Sequence, residues 1–555
     1  FKEVSGSEIF RVLKYVKYLS FLLLITSCSM KQEVDLIIRN AKIYTIDNNF
    51  SIKDVMAIQD GKIVAIGNTN QVLDDYTSGN IINAKGRFVY PGFIDAHCHF
   101  LGYGLSLQQV NLSGTASFDE VIERVQKFSK EDESLWITGR GWDQNDWQEI
   151  QFPTKEMLDM VAIDQPVYLH RIDGHAIWVN SSVLSICGID RNTVDPMGGK
   201  IIRDSSGNPT GVFIDNAMDL IKRFVPDNSN NDKRRQIINA VRKLNQFGLT
   251  SIHDAGTDIE TVNILKELIA QEQLTIRVNA MLNDNSEDYQ EFLSKGPDIT
   301  NKFLSVRTVK IYFDGAMGSR GAALLEPYAD DPKNIGLNLT GEKKITEKVN
   351  QFNAAGFQVA VHCIGDRANR LALDIFEVAG NQNSRNRIEH AQIIHSDDLP
   401  RFFNLGIIPS MQATHCTSDM YWIDERLGEE RLHEAYPWQS LLQTGSIIAG
   451  GSDAPVEIPS PLLGIHAAVT RQDTSGWPTG GWRSNERMTV DQALASITSW
   501  AAYSMFAESY LGKIEPGYMA DFTVLSQDLS TIDPVQIPSV NVHFTIVNGK
   551  VVYKR

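Results

Sequence analysis

Cysteine is scarce in this chain of 555 residues, with five in all. None forms a CxxC pair, so neither a disulfide framework nor a thiolate metal cluster is expected. Basic charge is also in deficit: 52 Lys and Arg stand against 68 Asp and Glu, a net charge of −16. Binding nucleic acid takes a basic face that displaces counterions, so nucleic acid is not an expected partner, and no basic channel suits a nuclease. The apolar run near the N-terminus, Tyr18 through Ile25, is too short to span a bilayer as a helix. Internal repeats and low-complexity tracts are absent. The remainder, 42% hydrophobic and 22% charged, has the balance of an ordinary globular protein. Its length suits a barrel of roughly 250 residues with satellites, or two to four ordinary domains.

Arg11, Lys14 and Lys17 precede the short apolar run, and Thr26-Ser27-Cys28 follows it. A basic stretch, an apolar core and small residues make residues 1–28 an expected export signal. Ile25-Thr26-Ser27-Cys28 resembles the lipobox of bacterial lipoproteins, which implies a lipid anchor on Cys28 and a place in the cell envelope. Translation from Met30 is the alternative and implies a cytoplasmic protein. Cys98, Cys187, Cys363 and Cys416 then remain. Cys98 and Cys363 adjoin candidate ligand histidines and are read as small packing residues.

Short alternating runs broken by Asp60-Gly61 fill residues 34–90, and similar runs around Asn548-Gly549 fill 513–555. Period two with such turns predicts hairpins. Neither end is large enough to stand alone, so a composite β-sandwich from both ends is expected. Between them, residues 91–512 alternate β-branched runs with amphipathic stretches, the pattern of a parallel α/β fold. Eight strands are predicted at 88–96, 249–254, 275–282, 306–313, 357–362, 387–390, 407–411 and 447–451, matching a (β/α)8 TIM-type barrel. The stretch 105–245 is too long for one βα unit. It is read as an insertion after the first strand that roofs the barrel mouth.

Ionisable residues recur where these strands end. His97 and His99 stand at i and i+2 of the first, so both imidazoles project to one face and reach one ion. Lys310 lies inside the apolar run Val309-Lys-Ile-Tyr-Phe-Asp314 and needs either an ion-pair partner or another use. His362 and His390 end the fifth and sixth strands, and Asp453 follows small residues after the eighth. Each alone has an ordinary structural explanation. Their order on strands one, four, five, six and eight is what carries the argument.

That order, together with PGFIDAHCHF, VKIYFDGAMGSRGAALLEPY, VHCIGDRAN, RIEHAQ and GSDAPVEIPSP, resembles the YtcJ-like branch of the amidohydrolase superfamily, which includes N-substituted formamide deformylase. The resemblance runs from about Val34 to Arg555. It implies that His97, His99 and Asp453 bind one divalent metal, Zn2+ being the expected ion, and that His362 and His390 bind a second. Lys310, carboxylated by CO2, would bridge ions about 3.5–4 Å apart. A hydroxide between them would be the nucleophile, with Asp453 as catalytic proton shuttle. If Lys310 is unmodified, one metal is held by His97, His99, His362 and Asp453, and His390 orients water or substrate. Arg140, Trp142, His175, Arg320, Gln412 and His415 also match the branch and are expected to bind substrate, the arginines through a carboxylate.

The expected reaction is hydrolysis of an amide or N-formyl C–N bond in a small molecule. The alternatives are a deaminase or cyclic amidase on the same scaffold, or a lipid-anchored solute-binding protein without chemistry. A homo-oligomer is compatible with a barrel carrying a large insertion, though no interface signal is visible.

Overall fold

The computed structural model describes residues 31–47, 49–131, 136–162, 165–226, 229–284 and 289–555. The expected export signal and Cys28 lie outside the described residues. Eight strands make the centre of the fold: β1 (Phe93–Cys98), β2 (Leu249–Thr257), β3 (Arg277–Asn283), β4 (Leu304–Tyr312), β5 (Gln358–Cys363), β6 (Arg387–His390), β7 (Ile408–Gln412) and β8 (Ala449–Gly451). They hydrogen-bond in that order, and every neighbouring pair is parallel. All residues of β1, β5, β6 and β7 are buried. Strands covered on both faces read as nearly continuous apolar runs, which is why they stand out in the sequence.

The sheet nearly closes between β8 and β1. Across that seam the Ser452 and Asp453 amides donate to the His97 carbonyl at 3.2 and 2.7 Å, and the His99 amide donates to Ala454 at 2.7 Å. Gly451 permits this approach, because a Cβ there would lie 2.5 Å from the His97 amide nitrogen. The seam therefore places His97, His99 and Asp453 together at the strand ends.

The first predicted strand, 88–96, divides in two. Phe88–Pro91 pairs with Leu36–Tyr44 and Phe522–Leu525 in a different sheet, and β1 starts at Phe93. Gly92 marks the crossing, pressed so close to Thr250 that an added Cβ would lie 2.1 Å from its hydroxyl. A continuous apolar run conceals such a switch.

Strands from both chain ends join in one sheet of eight. Its order is Lys550–Lys554, Val542–Val547, Phe522–Leu525, Phe88–Pro91, Leu36–Tyr44, Ile52–Gln59 and Lys62–Gly67, with Ile81–Asn83 also paired to Leu36–Tyr44. Leu36 and Ile38 face one apolar core and Ile37 another, as period-two alternation requires. Asp60-Gly61 and Asn548-Gly549 all have positive φ, the geometry of tight hairpin turns. Asp521 ties this sheet to the barrel through a two-pronged ion pair with Arg277 of β3, at 2.6 and 3.0 Å.

Between β1 and β2 the chain builds a six-stranded sheet, ordered Gly199–Arg203, Pro209–Asp215, Ala176–Val179, Val167–Arg171, Ile137–Trp142 and Val110–Asn111. It has its own core, including Trp142, Trp147 and Trp178. The helix Asn230–Gln246 returns the chain to β2. Ser229 and Asp232 cap it reciprocally, and Ile237, Ala240, Val241 and Leu244 form its buried stripe.

Candidate metal centre

A cavity of about 590 Å³ opens over the strand ends, walled by the loops of the barrel and by the insertion. His99, His362, His390, His415 and Asp453 line it. His97 is wholly buried beneath, its Nε2 3.4 Å from Asp453 Oδ1, while His99 Nε2 lies 3.2 Å from the same oxygen. The ring centroid of His390 is 4.8 Å from that of His97 and 4.5 Å from that of His362. Two triads, His97–His99–Asp453 and His390–His415–Asp453, each offer ligand atoms within 4.8 Å of one another. The residues predicted on five different strands thus converge on one spot.

Hydrogen bonds fix which nitrogen faces inward. His97 Nδ1 lies 2.5 Å from Glu389 Oε2, so it carries the proton and leaves the Nε2 lone pair to the cluster. Glu389 is held by Arg387 through contacts of 2.7 and 3.0 Å. Burial opposes its charge, but Arg387 and His97 outweigh that and hold the carboxyl well below its ordinary value. His390 Nδ1 faces the Gln412 carbonyl oxygen at 2.8 Å, and again Nε2 is free. The Gln412 amide is itself anchored, donating to Ser410 O at 3.3 Å.

Burial disfavours the charged imidazolium at three other points of the cluster, His99, His362 and His390. It lowers His99 to about 4 and pulls His362 and His390 well below the usual histidine value. Neither ring nitrogen of His362 finds a hydrogen-bond partner among the described residues, and Asp453 Oδ1 accepts no well-directed bond. Orphaned buried acceptors beside unprotonated imidazoles suit a cation better than they suit each other. The donor set therefore fits a divalent metal. His390 and Asp453 also adopt left-handed backbone conformations, with φ of 72° and 59°, strain of a kind that collects at working sites.

Lys310 is buried, with Nζ 3.4 Å from His97 Nε2 and 4.7 Å from the Tyr312 ring centroid. Burial lowers its pKa to about 8. No carboxylate among the described residues lies within ion-pair distance of it. Asp314, four residues on in the same run, is taken up elsewhere and accepts the amides of Ala323, Ile364 and Gly365 at 2.8 to 2.9 Å. That contact joins the loops after β4 and β5.

The residues expected to touch substrate divide. Arg140, His175 and His415 line the cavity. Arg140 donates to Ile172 O at 2.8 Å. His175 Nδ1 lies 2.6 Å from Asp215 Oδ1; burial opposes its protonation, but Asp215 raises it to about 9. Trp142 is corrected: it is packed in the insertion core between Trp147 and Trp178, its indole N–H on Leu169 O at 3.0 Å. Arg320 is ion-paired to Asp330 at 2.8 Å, and Gln412 is spent on His390; neither is among the cavity-lining residues.

Three residues carry no expected role from the sequence: Glu389 and Gln392, which lie within RIEHAQ, and Asp215. Arg387 and Glu389 at i and i+2 of a buried strand were a legible signal, since the spacing puts both on one face. Asp215 gave none, and RIEHAQ names no partner for Gln392, because His175 and His415 are distant in sequence.

Comparison with known proteins agrees with this geometry. Residues 80–553 match the profile of the amidohydrolase family. YtcJ of Bacillus subtilis (strain 168), named an amidohydrolase, is 34% identical over 92% of this chain and 98% of its own. N-substituted formamide deformylase of Arthrobacter pascens is 26% identical over 95% of this chain and 99% of its own. The crystal structure of an uncharacterised metal-dependent hydrolase from Pyrococcus horikoshii OT3 superposes with a TM-score of 0.74 at 28% identity, covering 90% of this chain and 99% of that one.

Proposed function

The chain belongs to the amidohydrolase family, and from that premise we propose that it hydrolyses a C–N bond, an amide or N-formyl group, of a small molecule at a divalent-metal centre. The observation that carries this reading is the tautomer of His97: Nδ1–H donates to Glu389 Oε2 at 2.5 Å, and the Nε2 lone pair points at the cluster around Asp453. His97, His99, His362, His390 and Asp453 are the residues that would hold the metal, with Zn2+ the ion suited to such an imidazole-rich set. A divalent ion held by these residues would supply Lewis acidity toward water and the scissile carbonyl.

Asp453 performs the proton transfer in this reading. Burial opposes its ionisation, but contact with His99 at 3.2 Å helps to hold the carboxyl well below the usual carboxylate range. It takes a proton from water on the attacking side and gives it to the leaving nitrogen. Lys310 belongs to the same proposal: carboxylated by CO2, it would be a further residue to hold metal. Its lowered pKa and the lack of a carboxylate partner support that, since the neutral amine is the form that reacts with CO2. The cavity admits a small molecule. Envelope anchoring through Cys28 remains part of the proposal and is tested by labelling cells with a radioactive fatty acid.

Incubation of metal-loaded protein with a panel of N-substituted formamides, acyl amides, cyclic imides and amidines tests the reaction. Release of formate or another carboxylate with its amine supports the reading. Release of ammonia from an amidine moves it to a deaminase, and binding without turnover moves it to a solute-binding protein.

A further inference from the structure

The Arg387 guanidinium, fully buried inside the barrel, meets acceptors from four strands. Besides Glu389 on its own strand β6, it donates from Nη2 to the Ala96 carbonyl of β1 at 2.7 Å and to Ser410 Oγ of β7 at 2.8 Å. From Nη1 it donates to His253 Nδ1 of β2 at 2.8 Å, with Ser504 Oγ a distant second acceptor at 3.5 Å. A guanidinium can only donate, so His253 Nδ1 is the lone pair and Nε2 carries the one hydrogen of a neutral ring. Burial, and then the charge of Arg387, pull the His253 pKa well below the usual histidine value. His253 is itself fully buried and is not among the residues that line the cavity.

These contacts bear on His97 from two sides. Ala96 precedes His97 in the chain, and Glu389 accepts from the His97 ring, so one cation grips both the backbone and the carboxylate that place this imidazole. Glu389 is the one carboxylate within ion-pair distance of Arg387 among the described residues. A neutral acceptor on the remaining side satisfies Nη1 without drawing the cation away from Glu389. Without that acceptor a buried N–H is stranded, and the guanidinium regains a partner only by shifting off Glu389 or Ala96.

We propose that His253 is a positioning residue for the candidate metal centre, acting as a neutral hydrogen-bond acceptor that fixes Arg387 and, through Glu389, the ring of His97. Its effect on metal rests on the hydrolytic reading above, whereas its effect on the His97 Nδ1–H contact does not.

The test therefore has two readouts. In metal-free protein labelled with 15N-histidine, the downfield proton resonance of His97 Nδ1–H is recorded and assigned by its loss in Glu389→Gln. Chelator competition then gives the Zn2+ affinity of the same proteins. The variants are His253→Leu and His253→Met, which lack the acceptor and differ in shape, and His253→Asn, whose Oδ1 can stand where Nδ1 was. In both apolar variants the resonance is expected to move upfield, with Zn2+ affinity falling about 10-fold. His253→Asn is expected to recover both. Wild-type resonance and affinity in a folded apolar variant, with only the unfolding midpoint lowered, would make His253 a packing residue and overturn the proposal. Failure of a folded His253→Asn to recover either readout would overturn it too. A wild type that shows the resonance but binds no Zn2+ would instead overturn the hydrolytic reading, and the resonance alone would then decide the role of His253.

Discussion

His97 Nδ1 and Glu389 Oε2 lie 2.5 Å apart, both side chains fully buried, at the centre of the barrel. Glu389 is in turn fixed by Arg387, so a buried ion pair sets the tautomer of the innermost histidine of the candidate site. Carboxylate–histidine pairs of this kind raise the basicity of the ligating nitrogen. Glu389→Gln is expected to weaken metal retention about 10- to 100-fold. Competition against a graded series of chelators measures it, and retention equal to wild type contradicts it.

The same residue makes stability depend on pH. Its carboxyl has an ordinary value of 4.5 and a folded value well below that, against the opposing effect of burial. Below about 4.5 the unfolded chain binds a proton that the folded chain does not. The contribution is therefore fully present above that pH and is lost on acidification. Metal-free wild type should exceed Glu389→Gln by about 3–5 kcal/mol near neutrality, with the gap narrowing below pH 4.5. Urea titrations across that range would show it.

Gly451→Ala should open the seam between β8 and β1. The added Cβ would sit 2.5 Å from the His97 amide nitrogen and 2.9 Å from Asp95 Oδ1. Overpacking of this kind costs about 1–3 kcal/mol, and because it displaces His97 and Asp453 together, metal affinity should fall along with the unfolding midpoint.

Asp215 sits in a recess made by two glycines: a Cβ at Gly315 or Gly321 would lie 2.7 or 2.6 Å from its Oδ2. Gly321→Ala should therefore dislodge Asp215 and release His175 from its 2.6 Å contact. The expected outcome is a fall in kcat/KM with metal content unchanged, since His175 is outside the proposed ligand set. Asp215→Asn is expected to reproduce it.

Trp142→Ala should act on the insertion rather than on substrate. A fully buried tryptophan replaced by alanine costs about 3–5 kcal/mol. Limited proteolysis within residues 105–245 should accelerate. A change confined to KM, with stability intact, would return Trp142 to the pocket wall.

Much of this was legible in the chain because parallel strands buried on both faces leave unbroken apolar runs, and the ligand-type residues punctuate their ends. The seven later barrel strands appear within a few residues of their predicted places. The first was misjudged, because one run serves two sheets and only the crowding of Gly92 against Thr250 separates them. Trp142 was misplaced for a similar reason: neighbouring motif residues, Arg140 and Trp142, look equivalent in sequence but only Arg140 reaches the cavity. Contacts such as His175–Asp215 and His415–Gln392 depend on how the insertion and loops fold back, which no local spacing records.

The central claim is a metal centre built from the strand-end residues. Elemental analysis of wild type and Lys310→Ala, purified without chelator, tests it most directly. About two equivalents of divalent metal per chain in wild type, falling in the variant, is the predicted result for a lysine-bridged pair. A chain that holds no metal even after reconstitution with Zn2+ would contradict the account.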